Sequence, residues 1–210
     1  MNVDVFKVPM AGPDDLEGIA LLIKEKKVDP ANIVAIVAKT EGNGNVNDFT
    51  RGFTTFALQS FLSAHLHCSR DMISKKVSIV CSGGCEGVMS PHATIFARSS
   101  GDGEEQKKRV EKRLAIGVRN TRELLPEEIG TSIQANEVSK AVVEAMADAA
   151  IDDLLDVHFV QIKCPLLTSE RMNDAGARGK KNSHKGHLKI NGILSWSFGA
   201  RDCNGLERSR

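Results

Sequence analysis

The chain has 210 residues, enough for one large domain or two small ones with a buried core. Its 28 Lys and Arg against 27 Asp and Glu leave a net charge of +1, which excludes broad electrostatic attraction to nucleic acid or an anionic membrane. Aromatic residues are 4%, with one Trp and no Tyr, too few for a base-stacking platform, and no apolar run approaches the roughly 18 residues of a membrane span.

Residues 1–10 show no basic start followed by a long apolar stretch, so no signal peptide is expected. Cys68, Cys81, Cys85, Cys164 and Cys203 follow no zinc spacing and read as free thiols, which predicts a cytoplasmic protein.

In chain order, residues 3–8 alternate as a strand, with Asp4, Phe6 and Val8 on one face and Val3, Val5 and Lys7 on the other. Pro13, Asp14 and Asp15 predict the opening of a helix whose apolar face holds Leu16, Ile19, Ala20, Leu22 and Ile23. A strand is predicted over 32–37 and a helix over 53–66, the latter with Phe53, Phe56, Ala57, Phe61 and Ala64 at helical spacing. Strands follow at 77–81 and 93–97. The polar stretch 99–112 reads as a linker between two units, or as a charged surface loop. Beyond it come a strand over 113–118, acids around a short turn over 124–130, a helix over 136–151 capped by Asn136 or the Gln134 region, and a strand over 157–162. This alternation predicts an α/β fold of repeated strand–helix units.

Two glycine-rich segments stand at strand ends. The first is Lys39-Thr40-Glu41-Gly42-Asn43-Gly44, continuing through Asn47-Asp48-Phe49 to Arg51; the second is Ser82-Gly83-Gly84-Cys85-Glu86-Gly87. Small residues at strand ends let a scaffold present a nucleophile, a base and backbone N–H groups to a ligand. Taken singly, each has a plainer reading. Lys39 can be a solvated strand end, Ser82-Gly83-Gly84 a turn or phosphate loop, and Arg51 a helix-start ion pair. His92 reads as a packed or surface histidine. A second predicted strand ends in lysine at Lys163, a weak internal symmetry.

Longer ordered motifs carry a resemblance. They are Asp4 to Met10, Lys39 to Gly44, Asn47 to Arg51, Ser82-Gly83-Gly84, Ser90-Pro91-His92, Gln161 to Thr168 and Met172 to Ala175. From Val3 to about Ala177 the chain resembles the cyanuric acid hydrolase/barbiturase family, with Cys85 where threonine is usual. The resemblance implies a pseudo-threefold, three-repeat α/β fold, of which residues 1–98 would be the first repeat and 113–179 part of the second. It implies hydrolytic opening of the threefold-symmetric cyanuric acid ring by a Ser–Lys mechanism, giving carboxybiuret and then biuret and CO2. Barbituric acid is the alternative substrate, and a non-catalytic ligand-binding module the alternative class.

By resemblance, Lys39 and Ser82 form the first repeat's pair, Arg51 and the Ser82-Gly83 backbone hold substrate oxygens, and Lys163 is the catalytic base of the second repeat. A lysine serves as base only if its pKa falls well below about 10.4 through burial and neighbouring charge. No cofactor is expected for the chemistry; a structural divalent metal is expected only in the third repeat, outside this chain, and a homotetramer for the full-length protein.

The motif resemblance ends near Gly179, and residues 180–210 read as an aberrant tail. The family carries nearby a segment of the type Lys-Ser-Met-Gly-Tyr-Ser-Arg-Gly-Ala-Ser-Ala-Leu-Gly. Codons exist for which residues 191–206, read one base later, give Met-Gly-Tyr-Ser-Arg-Gly-Ala-Ser-Ala-Leu-Gly-Ile-Ala-Met-Ala. The expectation is therefore a tail translated out of frame, leaving a chain without the second repeat's arginine and nucleophilic serine and without the third repeat. Such a chain is expected to be unstable or inactive.

Overall fold

Alternating residues build β1 (Asn2–Pro9), and of its two faces the one with Phe6 and Val8 turns inward. In the computed structural model, which describes residues 2–45, 47–85, 89–99 and 113–181, the chain divides into two compact units, Met1–Val118 and Arg119–Arg210. The first unit is a mixed four-stranded sheet with helices, an α/β arrangement.

Helix α1 (Glu17–Lys24) starts later than Pro13 suggests. The Asp15 carboxylate accepts the Ala11 and Glu17 N–H groups at 2.7 and 3.0 Å, so residues 11–16 form a bonded turn ahead of the helix. Those bonds hold the Asp15 carboxyl below its usual range. Strand β2 (Ile33–Lys39) follows a short 3₁₀ turn at Pro30–Asn32.

Helix α2 (Thr50–Leu66) differs from its predicted face. Thr50, Thr54, Leu58 and Leu62 are its buried residues, while Phe53 and Phe56 are 43% and 50% exposed. Thr54 can lie inside because its hydroxyl donates to the Pro13 carbonyl at 2.7 Å. Phe56 lies under the Arg70 guanidinium, 4.5 Å from its ring centre. Arg70 belongs to α3 (Arg70–Lys76), a short helix absent from the sequence reading, capped by Ser69 accepting from the Met72 N–H.

Strands β3 (Ser78–Ser82) and β4 (His92–Ser99) complete the sheet in the order β1-β4-β2-β3. β3 runs parallel to β2, whereas β4 is antiparallel to both β1 and β2. Ile36, Ile79 and Ile95 meet Leu58, Leu62 and Ile73 beneath one sheet face. Each such burial contributes about 1.5–3 kcal/mol.

The second unit holds α4 (Ser132–Asp148) and α5 (Ser169–Ala177). α4 begins before the predicted Asn136 because Thr131 caps it, accepting the Ile133 N–H, and the buried Gln134 side chain accepts the Gly130 N–H at 2.7 Å. α5 is capped by Thr168 and lies C-terminal to a small core of Leu124, Ile129 and Leu167, against which Cys164 and Met172 pack. Arg178 grips Glu127 through two bonds of 2.7 and 2.9 Å and also bonds Asp174.

Residues 113–118 and 157–162, predicted as strands, form none. An isolated extended run has no ladder to satisfy its backbone, and no partner strand flanks either run among the described residues. Residues 100–112 of the predicted linker and 182–210 of the predicted tail lie outside the described residues. Among the described residues no helix is long and apolar enough to cross a membrane.

Candidate active site

The pleat of β2 sends Ile36 and Ala38 to the helix-covered face and Lys39 to the other. Register then gives Lys39 its neighbours. The parallel pair sets it opposite Ser82, and the antiparallel pair sets it opposite His92. The Lys39 Nζ donates to the Gly83 carbonyl at 2.6 Å and to Ser82 Oγ at 3.3 Å. The Ser82 hydroxyl in turn donates to the Gly83 carbonyl at 3.4 Å. Lys39, Ser82 and Gly83 are thus one hydrogen-bonded group at the ends of two adjacent strands.

The two glycine loops lie against each other behind this group. Thr40, buried, donates its N–H to the Ser82 carbonyl at 2.8 Å, and its hydroxyl lies 3.0 Å from the Thr50 hydroxyl oxygen. The Gly84 N–H donates to the Gly42 carbonyl. Gly44 and Gly84 have φ of +72° and +77°, a backbone that glycine adopts without strain.

Asp48 sits between the loops. Its side chain is shielded from solvent and accepts from the Gly44 N–H at 2.9 Å, the Thr50 N–H at 3.0 Å and the Thr50 hydroxyl at 2.5 Å. The Arg51 Nε stands 3.6 Å from its Oδ2. A Cβ on Gly42 would lie 1.8 Å from Asp48 Oδ1, and one on Gly83 1.9 Å from Oδ2, so the carboxylate occupies the space that any other residue would need at both positions. Burial alone would raise the Asp48 pKa. The Thr50 and Gly44 hydrogen bonds and the Arg51 charge outweigh it and hold the carboxyl below its ordinary range.

Arg51, in the first turn of α2, also donates through Nη2 to the Asn45 carbonyl. The structure therefore gathers Lys39, Arg51, Ser82 and Gly83 in the first unit. His92, set aside in the sequence reading, shares their row of the sheet; its Nδ1 is 2.7 Å from the Ser90 carbonyl oxygen. Asp48 was quoted in a motif but given no role, since its contact with Gly83 is not a local pattern. Lys163 lies in the second unit, exposed, in the irregular segment before α5. Burial pushes the neighbouring Cys164 thiol up.

Chemically, the group can present two cations, one hydroxyl and backbone groups to a small polar ligand. Among the described residues no three His, Cys, Asp or Glu side chains group to hold a metal ion.

The profile described as an amidohydrolase ring-opening protein matches residues 4–200, past the point near Gly179 where the motif resemblance was read to end. The chain is 49% identical over 179 residues to a cyanuric acid amidohydrolase of Enterobacter cloacae, covering 85% of this chain and 48% of that one. It is 47% identical over 203 residues to a cyanuric acid amidohydrolase of Bradyrhizobium diazoefficiens, covering 95% and 53%. Over 181 residues it is 46% identical to a cyclic amide hydrolase of Azorhizobium caulinodans, covering 86% and 49%. Among solved structures, a cyanuric acid hydrolase described as an innovation by structural concatenation superposes with a TM-score of 0.82 at 42% identity, covering 90% of this chain and 51% of that one. The cyanuric acid hydrolase of A. caulinodans superposes at 0.80 and 43% identity, covering 91% and 51%. The chain spans about half the length of the curated relatives it matches. With a family profile covering most of its length, the chain belongs to the family of ring-opening amidohydrolases.

Proposed function

We propose that this chain is part of a cyclic amide hydrolase that opens the s-triazine ring of cyanuric acid. The observation that carries the reading is the Lys39–Ser82–Gly83 group at the ends of β2 and β3, in a chain whose relatives bear the name cyanuric acid amidohydrolase. Cyanuric acid alternates three carbonyls with three N–H groups. Lys39, Ser82, Arg51 and the loop backbone supply donors for one sector of such a ring, and repeats arranged about an axis would supply the others.

The chemistry balances without a cofactor. A serine Oγ attacks one ring carbonyl carbon as a lysine takes the hydroxyl proton. The C–N bond breaks and the ring nitrogen receives the proton. Water then hydrolyses the ester to carboxybiuret, which loses CO2 to give biuret. Lys39 donates to two oxygens, which suits it to binding and charge stabilisation; Lys163 is assigned the base, with a serine of its own repeat beyond the residues seen here. A placed base contributes on the order of 10²–10⁴ in rate, and donors at the developing oxyanion about 10²–10³. In this reading the complete protein is a cytoplasmic homotetramer with a structural divalent metal in its third repeat. Turnover requires the three repeats together, so this chain alone is inactive.

Incubation of the purified chain with cyanuric acid, with a full-length relative as control, tests the reading. Binding lost in Lys39→Met and Ser82→Ala, with no biuret formed, is the expected result. Biuret release at the relative's rate overturns the inactivity of the chain alone. Stronger binding of barbituric acid transfers the reading to that pyrimidine ring. Protection of the Ser82 and Gly83 amides by inorganic phosphate, with no cyanuric acid binding, makes the loops an anion-binding module.

A further inference from the structure

Gly42 and Gly83 come from different loops, yet one carboxylate fills the place of both missing side chains. The Asp48 oxygens also take the N–H of Gly44 from the first loop and the N–H and hydroxyl of Thr50 from the start of α2. Arg51 leans on the same group from one residue further along. Gly83 in turn carries the carbonyl to which Lys39 donates. Arg51 and the Ser82-Gly83 turn therefore meet at one carboxylate shielded from solvent, and Lys39 reaches the same turn through the Gly83 carbonyl.

We propose that Asp48 is a positioning residue that holds the Ser82-Gly83 turn, Arg51 and, through the Gly83 carbonyl, Lys39 in the arrangement that receives the ligand. The proposal rests on the functional reading above, because it takes those residues as the binding set. Asp48 makes no contact with substrate in this role. Its carboxylate fixes where the donors stand, and its negative charge offsets part of the positive charge that Lys39 and Arg51 bring to the site. An amide of the same shape cannot do both: one of its two polar ends is an NH₂, which would face a backbone N–H or the Arg51 guanidinium.

The charged groups around Asp48 are Arg51 on α2 and Lys39 reaching Gly83 from β2, with Glu41 in the adjoining loop. An acid titration of the labelled chain, followed by amide and Lys39 side-chain signals, reads the role without a ligand. Gly44 and Thr50 should titrate with Asp48, at a midpoint below that of an ordinary aspartate. Gly83, Gly84, the Arg51 Nε–H and the Lys39 ammonium should follow with the same midpoint, while β4 ladder amides stay in place. Asp48→Asn at neutral pH should put the Gly83 and Gly84 signals at their acid-limit positions and weaken cyanuric acid binding at least tenfold, and Asp48→Glu should restore part of the loss. Titration confined to Gly44 and Thr50 overturns the proposal, as does wild-type affinity in Asp48→Asn. Failure of the wild-type chain to bind cyanuric acid counts against the functional reading alone, and the titration still decides the role of Asp48.

Discussion

Gly42→Ala is the sharpest perturbation of the loop packing. The new Cβ would stand 1.8 Å from Asp48 Oδ1 and 2.2 and 2.3 Å from the rest of the carboxyl group. No such contact is tolerated, so the carboxylate must leave. Gly42 lies outside the left-handed region, so alanine is not strained there, and restriction of the unfolded chain alone would favour the variant by about 0.4–1 kcal/mol. Against this, the N–H groups of Gly44 and Thr50 lose a charged acceptor, at about 1–3 kcal/mol for each one kept from water. The net cost is about 2–4 kcal/mol, or roughly 10–20 °C in melting temperature for a unit of this size. Urea unfolding followed through the β2 and β4 amides measures it. The same alanine placed on an Asp48→Ala background should cost almost nothing, giving a coupling of about 2–4 kcal/mol. Gly83→Ala serves as control: its Cβ also lies 2.9 and 3.0 Å from the Gly44 backbone, which Asp48→Ala does not clear, so no comparable rescue is expected. Additive costs for Gly42→Ala and Asp48→Ala would refute the carboxylate-filled cleft.

In the second unit, the paired bonds from Arg178 lower the Glu127 carboxyl to about 2, from a usual value of 4.5. Because the folded value is the depressed one, the pair's contribution to stability is complete above about 4.5 and is lost as pH falls towards 2; Arg178→Ala should abolish that acid-dependent loss in carboxyl titrations and pH-dependent unfolding. Ala150 follows α4 with φ of +54°, a conformation costing an L-residue about 1–2 kcal/mol, so Ala150→Gly should raise stability by about 0.5–1 kcal/mol in denaturant unfolding. Reading the coding DNA from codon 175 in all forward frames should find Met-Gly-Tyr-Ser-Arg-Gly continuing into a third repeat. If no frame continues, the out-of-frame reading of the tail fails.

The strands of the first unit were legible because 33–37 and 77–80 are rich in β-branched apolar residues and 3–8 alternates. Helix α3 was not, since a seven-residue helix burying only Ile73 leaves no period to count. The inner face of α2 was misread for a different reason. Hydrogen bonds make Thr50 and Thr54 acceptable inside, and Phe53 and Phe56 are left half in solvent. Lys39, Arg51, Ser82 and Gly83 could be named from motifs, yet their association depends on the pairing of β2 with β3, which is a property of the sheet. Asp48 illustrates the limit most clearly. Its residue type is visible next to a helix start, but its contact with Gly42 and Gly83 exists only once both loops are stacked.

The place of β4 in the sheet has a consequence for how the protein is made. β1 and β2 do not pair with each other; each bonds to β4, which is the last of the four to leave the ribosome. Every residue of the Lys39 and Ser82 group is translated before residue 84, but the strand that bridges β2 to β1 ends only at Ser99. At synthesis rates of about 5–20 residues per second, the nascent chain spends seconds with β2 unpaired along one edge. Until β4 inserts, the β2–β3 ladder carrying the site is a two-stranded edge exposed to other chains.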